Sequence, residues 1–500
     1  MQILDTRVPA VLLRIDRNPF HHGTLGAVRS LGRAGVEVHV VADAEGSPVR
    51  RSRFVCEMHP PPRPGSSTAE IAAVLRRVAA RVSRPAVLVP MDDASALAVG
   101  RMGEDLADGY LLPRQPGALA ERVADKAELA AVCASVGVPH PVTLIPESPA
   151  QAAAAAWQLG LPVMAKWSRP WLIPAGSGLR STVMIRSARE AQELYLRGAE
   201  AGSPLLLQAF LPPGPDRDWF FHGYVGRSGA THGGGAGRKR LSWPRGAGLT
   251  AVGHWTPNPE LETLVERLTG ALGYRGIFDL DFRRDATTGH YHLLDFNPRP
   301  GAQFRLFEDA GGLDVVRALH LDLTHRPLPE PAPRPGRAFV VENYAPLDAL
   351  RPAPAGRELA WHAPDDPAPG RAMWSRWTRH VPLRLTQRVG RLLSGPAASR
   401  ETDDTTALTP AQDVTATATG AAEEAPAPVE RPGAAGQDPA VVRPRGEAGT
   451  RPEAGPVHIP APPPAPSADT PSDLLAGPRA ESRAGSRADS HADDEKASSR

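Results

Sequence analysis

An α/β fold is predicted by three observations. Short apolar runs alternate with helical patterns over residues 8–113, two acidic strands alternate at 276–284 and 290–297, and aromatic residues vanish beyond residue 396. The first implies a parallel sheet with crossover helices. The second implies an antiparallel hairpin in an α+β region that follows. The third implies a disordered tail, because a stretch of Pro, Ala, Ser, Thr and charge buries too little apolar surface to offset its ordering entropy.

The elements follow in chain order. Strands are expected in VPAVLLRI (8–15), VEVHVVAD (36–43) and PAVLVPMD (85–92), with helices near 23–34, 68–82 and 95–106. His21-His22-Gly23-Thr24-Leu25-Gly26 after the first strand lacks the G-x-G-x-x-G spacing of a dinucleotide site, and a polar loop before a helix gives His21 and His22 no need of a metal. One helix is expected from 116 to 137 with Lys126 inside it, then an apolar strand, LPVMAKW (161–167), with Lys166 at its centre. A lysine there reaches an anion or snorkels to an edge. Gly176-Ser177-Gly178, within the loop 174–182, offers backbone amides that wrap phosphate. Further strands are expected in PLLLQAFL (204–211) and FFHGYVG (220–226). These readings divide the chain at 1–115, 116–345, 346–395 and 396–500.

Charge is divided along the chain. The whole carries a net +2, with an excess of seven acidic residues beyond 395 and about +9 on the rest. The basic residues of the body suit an anionic ligand, but they are scattered, and no compact Lys/Arg patch with interleaved aromatics points to nucleic acid. The N-terminus is broken by charges and no run of some 18 apolar residues occurs, which predicts a soluble, cytoplasmic protein. Cys56 and Cys133 have no metal-binding spacing, so neither a disulfide scaffold nor a zinc site is expected, and both read as buried or idle thiols. Residues 358–393 mix Trp361, Trp374 and Trp377 with six arginines. They read as an amphipathic segment packed on the body, or as a surface that docks a partner or, through 371–393, makes a weak contact with an anionic membrane.

The chemistry concentrates in GIFDLDFRR (276–284) and HYHLLDFN (290–297), joined by the turn-like Asp285-Ala286-Thr287-Thr288-Gly289. Alternation puts Phe278, Leu280 and Phe282 on one face and Asp279 and Asp281 on the other. In the second strand it puts Asp295 and Asn297 opposite Leu294 and Phe296. Antiparallel pairing brings Asp281 beside Asp295 and Asn297. Three oxygen donors on one sheet face are costly unless they meet a cation, and a hard cation such as Mg²⁺ prefers carboxylate and amide oxygens.

The order of two lysines, a glycine loop, an apolar strand and paired acidic strands ending Asp295-Phe296-Asn297-Pro298-Arg299 resembles the ATP-grasp superfamily, in its carboxylate-amine ligase branch, over residues 8–345. The resemblance implies a pre-ATP-grasp domain at 1–115 and a two-lobed ATP-grasp domain at 116–345. It implies Asp281, Asp295 and Asn297 as ligands of Mg²⁺, or Mn²⁺ in its place, and Arg299 as the catalytic residue near the transferred phosphoryl group. ATP would be held by Lys126 and Lys166, by the flap at Gly176, Ser177 and Gly178, and by Gln208, Ala209, Phe210 and Leu211 along the adenine. Where that family often has Glu, this chain has Gln208 and Asp295. The implied activity couples a small carboxylate to an amine with release of ADP and phosphate. The alternatives are an ATP-binding interaction protein with weakened catalysis, or another ATP-grasp enzyme such as a carboxylase.

Overall fold

Strand β1 (Ala10–Leu13) is fully buried, and helix α1 (His22–Arg33) returns the chain to β2 (Val38–Val41). His21 accepts the Thr24 amide and so caps α1, which gives that histidine a structural role. Strand β3 (Val55–His59), helix α2 (Thr68–Val82), β4 (Ala86–Pro90), α3 (Asp93–Arg101) and β5 (Tyr110–Leu111) complete a parallel sheet of order β3-β2-β1-β4-β5. A Ser67/Glu70 capping box sets the start of α2. The strand order reverses between β1 and β4, the place where open parallel sheets form a ligand crevice. Here Asp92 accepts the Ile15 and Asp16 amides. The computed structural model describes residues 4–379, apart from 64, 175, 244–247 and 354.

The single helix expected over 116–137 is two, α4 (Leu119–Ala124) and α5 (Lys126–Val136). Asp125 breaks it. Its backbone is extended and its carboxylate caps α5 through the Ala127 and Glu128 amides, while Ser168 and Arg169 hold the same carboxylate from the neighbouring lobe. Lys126 therefore starts a helix instead of lying within one.

A four-stranded antiparallel sheet follows. Its strands are β6 (Thr143–Leu144), β7 (Val163–Trp167), β8 (Thr182–Ile185) and β9 (Leu205–Ala209), in the order β6-β9-β7-β8, with α6 (Pro149–Leu159), α7 (Ala188–Leu196) and α8 (Gly198–Ala201) between them. Val163, Ala165, Trp167, Leu205 and Leu207 pack with α6 and α7. The other face carries Met164, Lys166, Leu206 and Gln208, since Met164 pairs with Gln208 and Lys166 with Leu206. Strand β8 is an addition to the sequence reading, which had placed Thr182 at the end of the glycine loop.

A seven-stranded sheet of order β14-β13-β10-β11-β12-β15-β16 forms the rest. Its strands are β10 (Asp218–Val225), β11 (Thr231–Trp243), β12 (Leu249–Trp255), β13 (Gly276–Arg284), β14 (Tyr291–Asn297), β15 (Ala338–Val340) and β16 (Arg357–Leu359), with α9 (Pro259–Leu272) and α10 (Val315–Leu323) between. Strand β11 also escaped the sequence reading, because it contains four glycines where a strand wants branched or aromatic residues. Packing explains them. A Cβ at Gly237 would stand 2.4 Å from the Phe220 ring, and one at Gly234 would strike the His222 carbonyl. One face of the sheet buries Trp219, Phe221, Phe278, Leu280, Phe282, Leu293 and Phe296 beneath α9 and α5.

Trp361 is fully buried against Phe20 and His22, its indole Nε1 donates to Asn343, and Glu342 accepts the Trp361 and His362 amides. Asp366 pairs with buried Arg29 at 3.0 Å. Residues 368–379 are helical, with Met373 buried and Trp377 packed on the core. Up to residue 379 this segment therefore packs on the body, whereas the rest of 371–393 and the tail expected at 396–500 lie outside the described residues. Among the described residues no helix is long and apolar enough to cross a membrane.

Candidate functional site

Strands β13 and β14 pair antiparallel, with Asp281 opposite Asp295 and Asp279 opposite Asn297. The expected oxygen ledge exists and has a fourth member, Asp279. A bulge between Asp281 and Phe282 leaves Leu294 outside the pairing. This corrects the sequence reading of β14. Leu293 and Phe296 enter the core, Leu294 does not, and the Leu294 carbonyl accepts from Lys166 Nζ at 3.1 Å.

Each carboxylate has a cation. Lys126 pairs with Asp295, Lys239 Nζ lies 2.6 Å from Asp281, and Arg299 Nη1 donates to Asp279 at 2.8 Å. Arg299 also donates from Nε to Asp93 at 3.0 Å, which ties the start of α3 to the Asn-Pro-Arg turn. His222 Nε2 lies 2.9 Å from the second Asp279 oxygen. A Cβ at Gly301 would stand 2.2 Å from that imidazole, so the Pro-Gly step admits no larger residue.

Burial and charge divide the titrations. Burial raises the Asp279 carboxyl, but His222, Arg299 and Lys239 together hold it well below the usual carboxylate range. Burial raises Asp281, and Lys239 offsets only part of that. Asp295 stays low because Lys126 and Lys166 outweigh its burial. Lys166 is lowered to about 8, chiefly by burial.

The other expected residues fall around this cluster. Gln208 is buried, on the same sheet face as Lys166, and donates to Thr143 Oγ1 at 3.0 Å. Ala209 continues the pairing through its amide to the Val142 carbonyl, half-buried Phe210 follows, and the Leu211 carbonyl accepts from Arg283 at 2.8 Å. Gly176 and Gly178 have positive φ with open space where a side chain would be, and the Ser177 carbonyl accepts from Arg197. The glycine loop is thus held toward α7. Lys239 and His222 were missed by the sequence reading, and the signal that reveals Lys239 is its position in a glycine-rich strand two residues after Gly237. Beside the cluster, Arg299 is the charged residue lining an apolar pocket of about 120 Å³ between β4, α3 and the start of β13.

No protein-family model matches the chain, and no curated protein matches it. Solved structures do. N5-carboxyaminoimidazole synthetase from Staphylococcus aureus, complexed with ADP, superposes with a TM-score of 0.52 at 14% identity, over 70% of this chain and 86% of that one. Biotin carboxylase from Campylobacter jejuni gives 0.51 at 14% identity, over 66% and 74%. L-amino acid ligase from Bacillus licheniformis gives 0.50 at 14% identity, over 66% and 79%. At this identity the likeness is one of fold, and the fold is that of the ATP-grasp enzymes.

Proposed function

We propose that the protein is an ATP- and Mg²⁺-dependent ligase that activates a carboxylate as an acyl phosphate and couples it to an amine. The observation that carries this is the register of β13 on β14, which sets Asp281 against Asp295 and Asp279 against Asn297 within reach of Lys126, Lys166 and Lys239. Two carboxylates and an amide are the donor set of a hard cation, and burial raises the Asp281 carboxyl even with Lys239 beside it. Asp281, Asp295 and Asn297 would hold Mg²⁺, which, when bound, neutralises the phosphate charge of ATP. Lys126 and Lys239, which pair with Asp295 and Asp281 here, would with Lys166 be the ammonium groups available to phosphate once those carboxylates hold the cation. Gln208 to Leu211 edge the adenine, and Gly176 to Gly178 cover the phosphates with backbone N–H groups.

A carboxylate oxygen attacks the γ-phosphorus of ATP, and the bond to the bridging oxygen breaks to leave ADP. The amine nitrogen then attacks the acyl carbon, phosphate leaves with the C–O electron pair, and the nitrogen loses a proton. The Arg299 guanidinium stands beside the oxygen ledge on Asp279, and the same residue lines the apolar pocket, so it would orient the acid between the two steps.

The test is a screen of ADP release by the full chain over pairs of acids and amines, with bicarbonate among the acids, and mass detection of the product. The expected result is ADP release that needs both partners and a product equal to their sum less water. Failure to bind ATP in millimolar Mg²⁺ by calorimetry would end this reading. A product formed only from bicarbonate would instead make the enzyme a carboxylase.

A pH dependence follows from Lys166, whose ammonium is destabilised by burial and titrates at about 8. Below that pH it is charged and binds phosphate, and above it the charge is lost. The kcat/KM for ATP should fall as pH rises through about 8 in the wild type, and the fall should vanish in Lys166→Met. The same alkaline fall in the variant would assign it to another group.

A further inference from the structure

We propose that the edge of the N-terminal parallel sheet, remote in sequence from the oxygen ledge, binds a divalent transition-metal ion through His39, His59 and Glu57. Two adjacent strands carry the same Glu-x-His pattern, Glu37-Val38-His39 beside β2 and Glu57-Met58-His59 in β3. Alternation places the Glu and His of each triplet on one face of its own strand. Whether the two pairs share a face depends on register. Val38 pairs with Val55, but His39 pairs with Glu57, so Cys56 is an extra residue on β3. Without that bulge Glu57 and His59 would lie on the face of Val38 and Val40, which packs into the core with α1. With it, all four side chains lie on the face covered by α2.

Both imidazoles are buried, His39 at 3% and His59 at 7% exposure. His39 Nδ1 lies 3.0 Å from His59 Nε2, and the nearest ligating atoms of His39, Glu57 and His59 are all within 4.8 Å of one another. On the far side of the ring, His39 Nε2 meets Glu37 Oε1 at 2.8 Å. A carboxylate on the outer nitrogen keeps the proton there and turns the other lone pair inward, the support that metal-bound histidines usually have. Two nitrogens on a tetrahedral zinc stand roughly 3.3 Å apart at ordinary Zn–N lengths, so the ion enters with a parting of a few tenths of an ångström. His59 then carries its proton on Nδ1.

Arg81 lies 3.3 Å from Glu57, and Arg84 pairs with Glu37. Arg81 is largely exposed and leaves Glu57 at little cost. Two imidazoles and one carboxylate suit zinc, cobalt or nickel, whereas Mg²⁺ prefers oxygen alone. Three protein ligands leave a position for water. The site therefore differs from the oxygen ledge in metal class as well as in place.

The full chain, stripped with chelator and kept in millimolar Mg²⁺ without nucleotide, is titrated with Co²⁺ by absorption and with Zn²⁺ by calorimetry. The wild type is expected to bind one ion with the intense visible bands of four-coordinate Co²⁺. His59→Gln should lose those bands, Glu57→Gln should weaken binding, and Glu37→Gln should weaken it about 10- to 100-fold while the bands stay four-coordinate. Glu57 and Glu37 are partly exposed, so these variants report even where His59→Gln disturbs folding. Equal affinity and spectrum in wild type and all three variants, or no Co²⁺ bound by the wild type, would overturn the proposal.

Discussion

Replacing Asp295 and Asn297 together by alanine should lower ATP turnover at least a hundredfold and leave the melting temperature near that of the wild type. Both residues lie at the end of β14, facing Asp281 and Asp279, and together they supply two of the three oxygen donors assigned to the cation. Losing them should remove ~2–3 kcal/mol of transition-state stabilisation, roughly a hundredfold in rate. The fold should persist, because the opposite face of the strand, Leu293 and Phe296, carries its packing. Lys126, freed from Asp295, starts α5 with a partly exposed side chain and can reach water. Steady-state ADP release and thermal melting give the two readouts. Turnover like that of the wild type would remove the metal assignment.

A second large effect is expected far from that ledge. Trp361→Ala should destabilise the fold by about 3–5 kcal/mol, the usual cost of truncating a fully buried tryptophan. Its ring fills the space between Phe20 and His22, and its loss also leaves the Asn343 oxygen without the indole donor. A melting temperature lower by several degrees is the expected measurement. An unchanged one would mean that this stretch serves a partner or a membrane surface instead of the core. The sequence alone left that choice open, since Trp361, Trp374 and Trp377 look alike as letters among arginines. Only the first is fully buried, while Trp374 is 36% exposed.

The acidic hairpin was legible because its signal is local. Period-two alternation assigns faces within a strand, and the Asp285–Gly289 turn sets which strand pairs with which. Those two facts bring Asp281 near Asp295, and the bulge at Leu294 then sets the two directly opposite each other. The α1 and α2 helices were legible for the same reason, with the capping residues Ser67 and Glu70 in the sequence itself.

Other features depend on partners distant in sequence. Lys126 reaches Asp295 because Asp125 is held by Ser168 and Arg169, more than forty residues away. Lys239 reaches Asp281 because β11 is a strand, and β11 is a strand because the rings of Phe220 and Trp255 close over its glycines. In the same way a single bulged residue decides the Leu294 carbonyl and another decides whether His39 meets His59. Alternation along the chain determined which side chains share a face wherever no bulge interrupts it, as one does at Leu294. Register and close packing between strands, which sum many contacts across the fold, decided which faces meet.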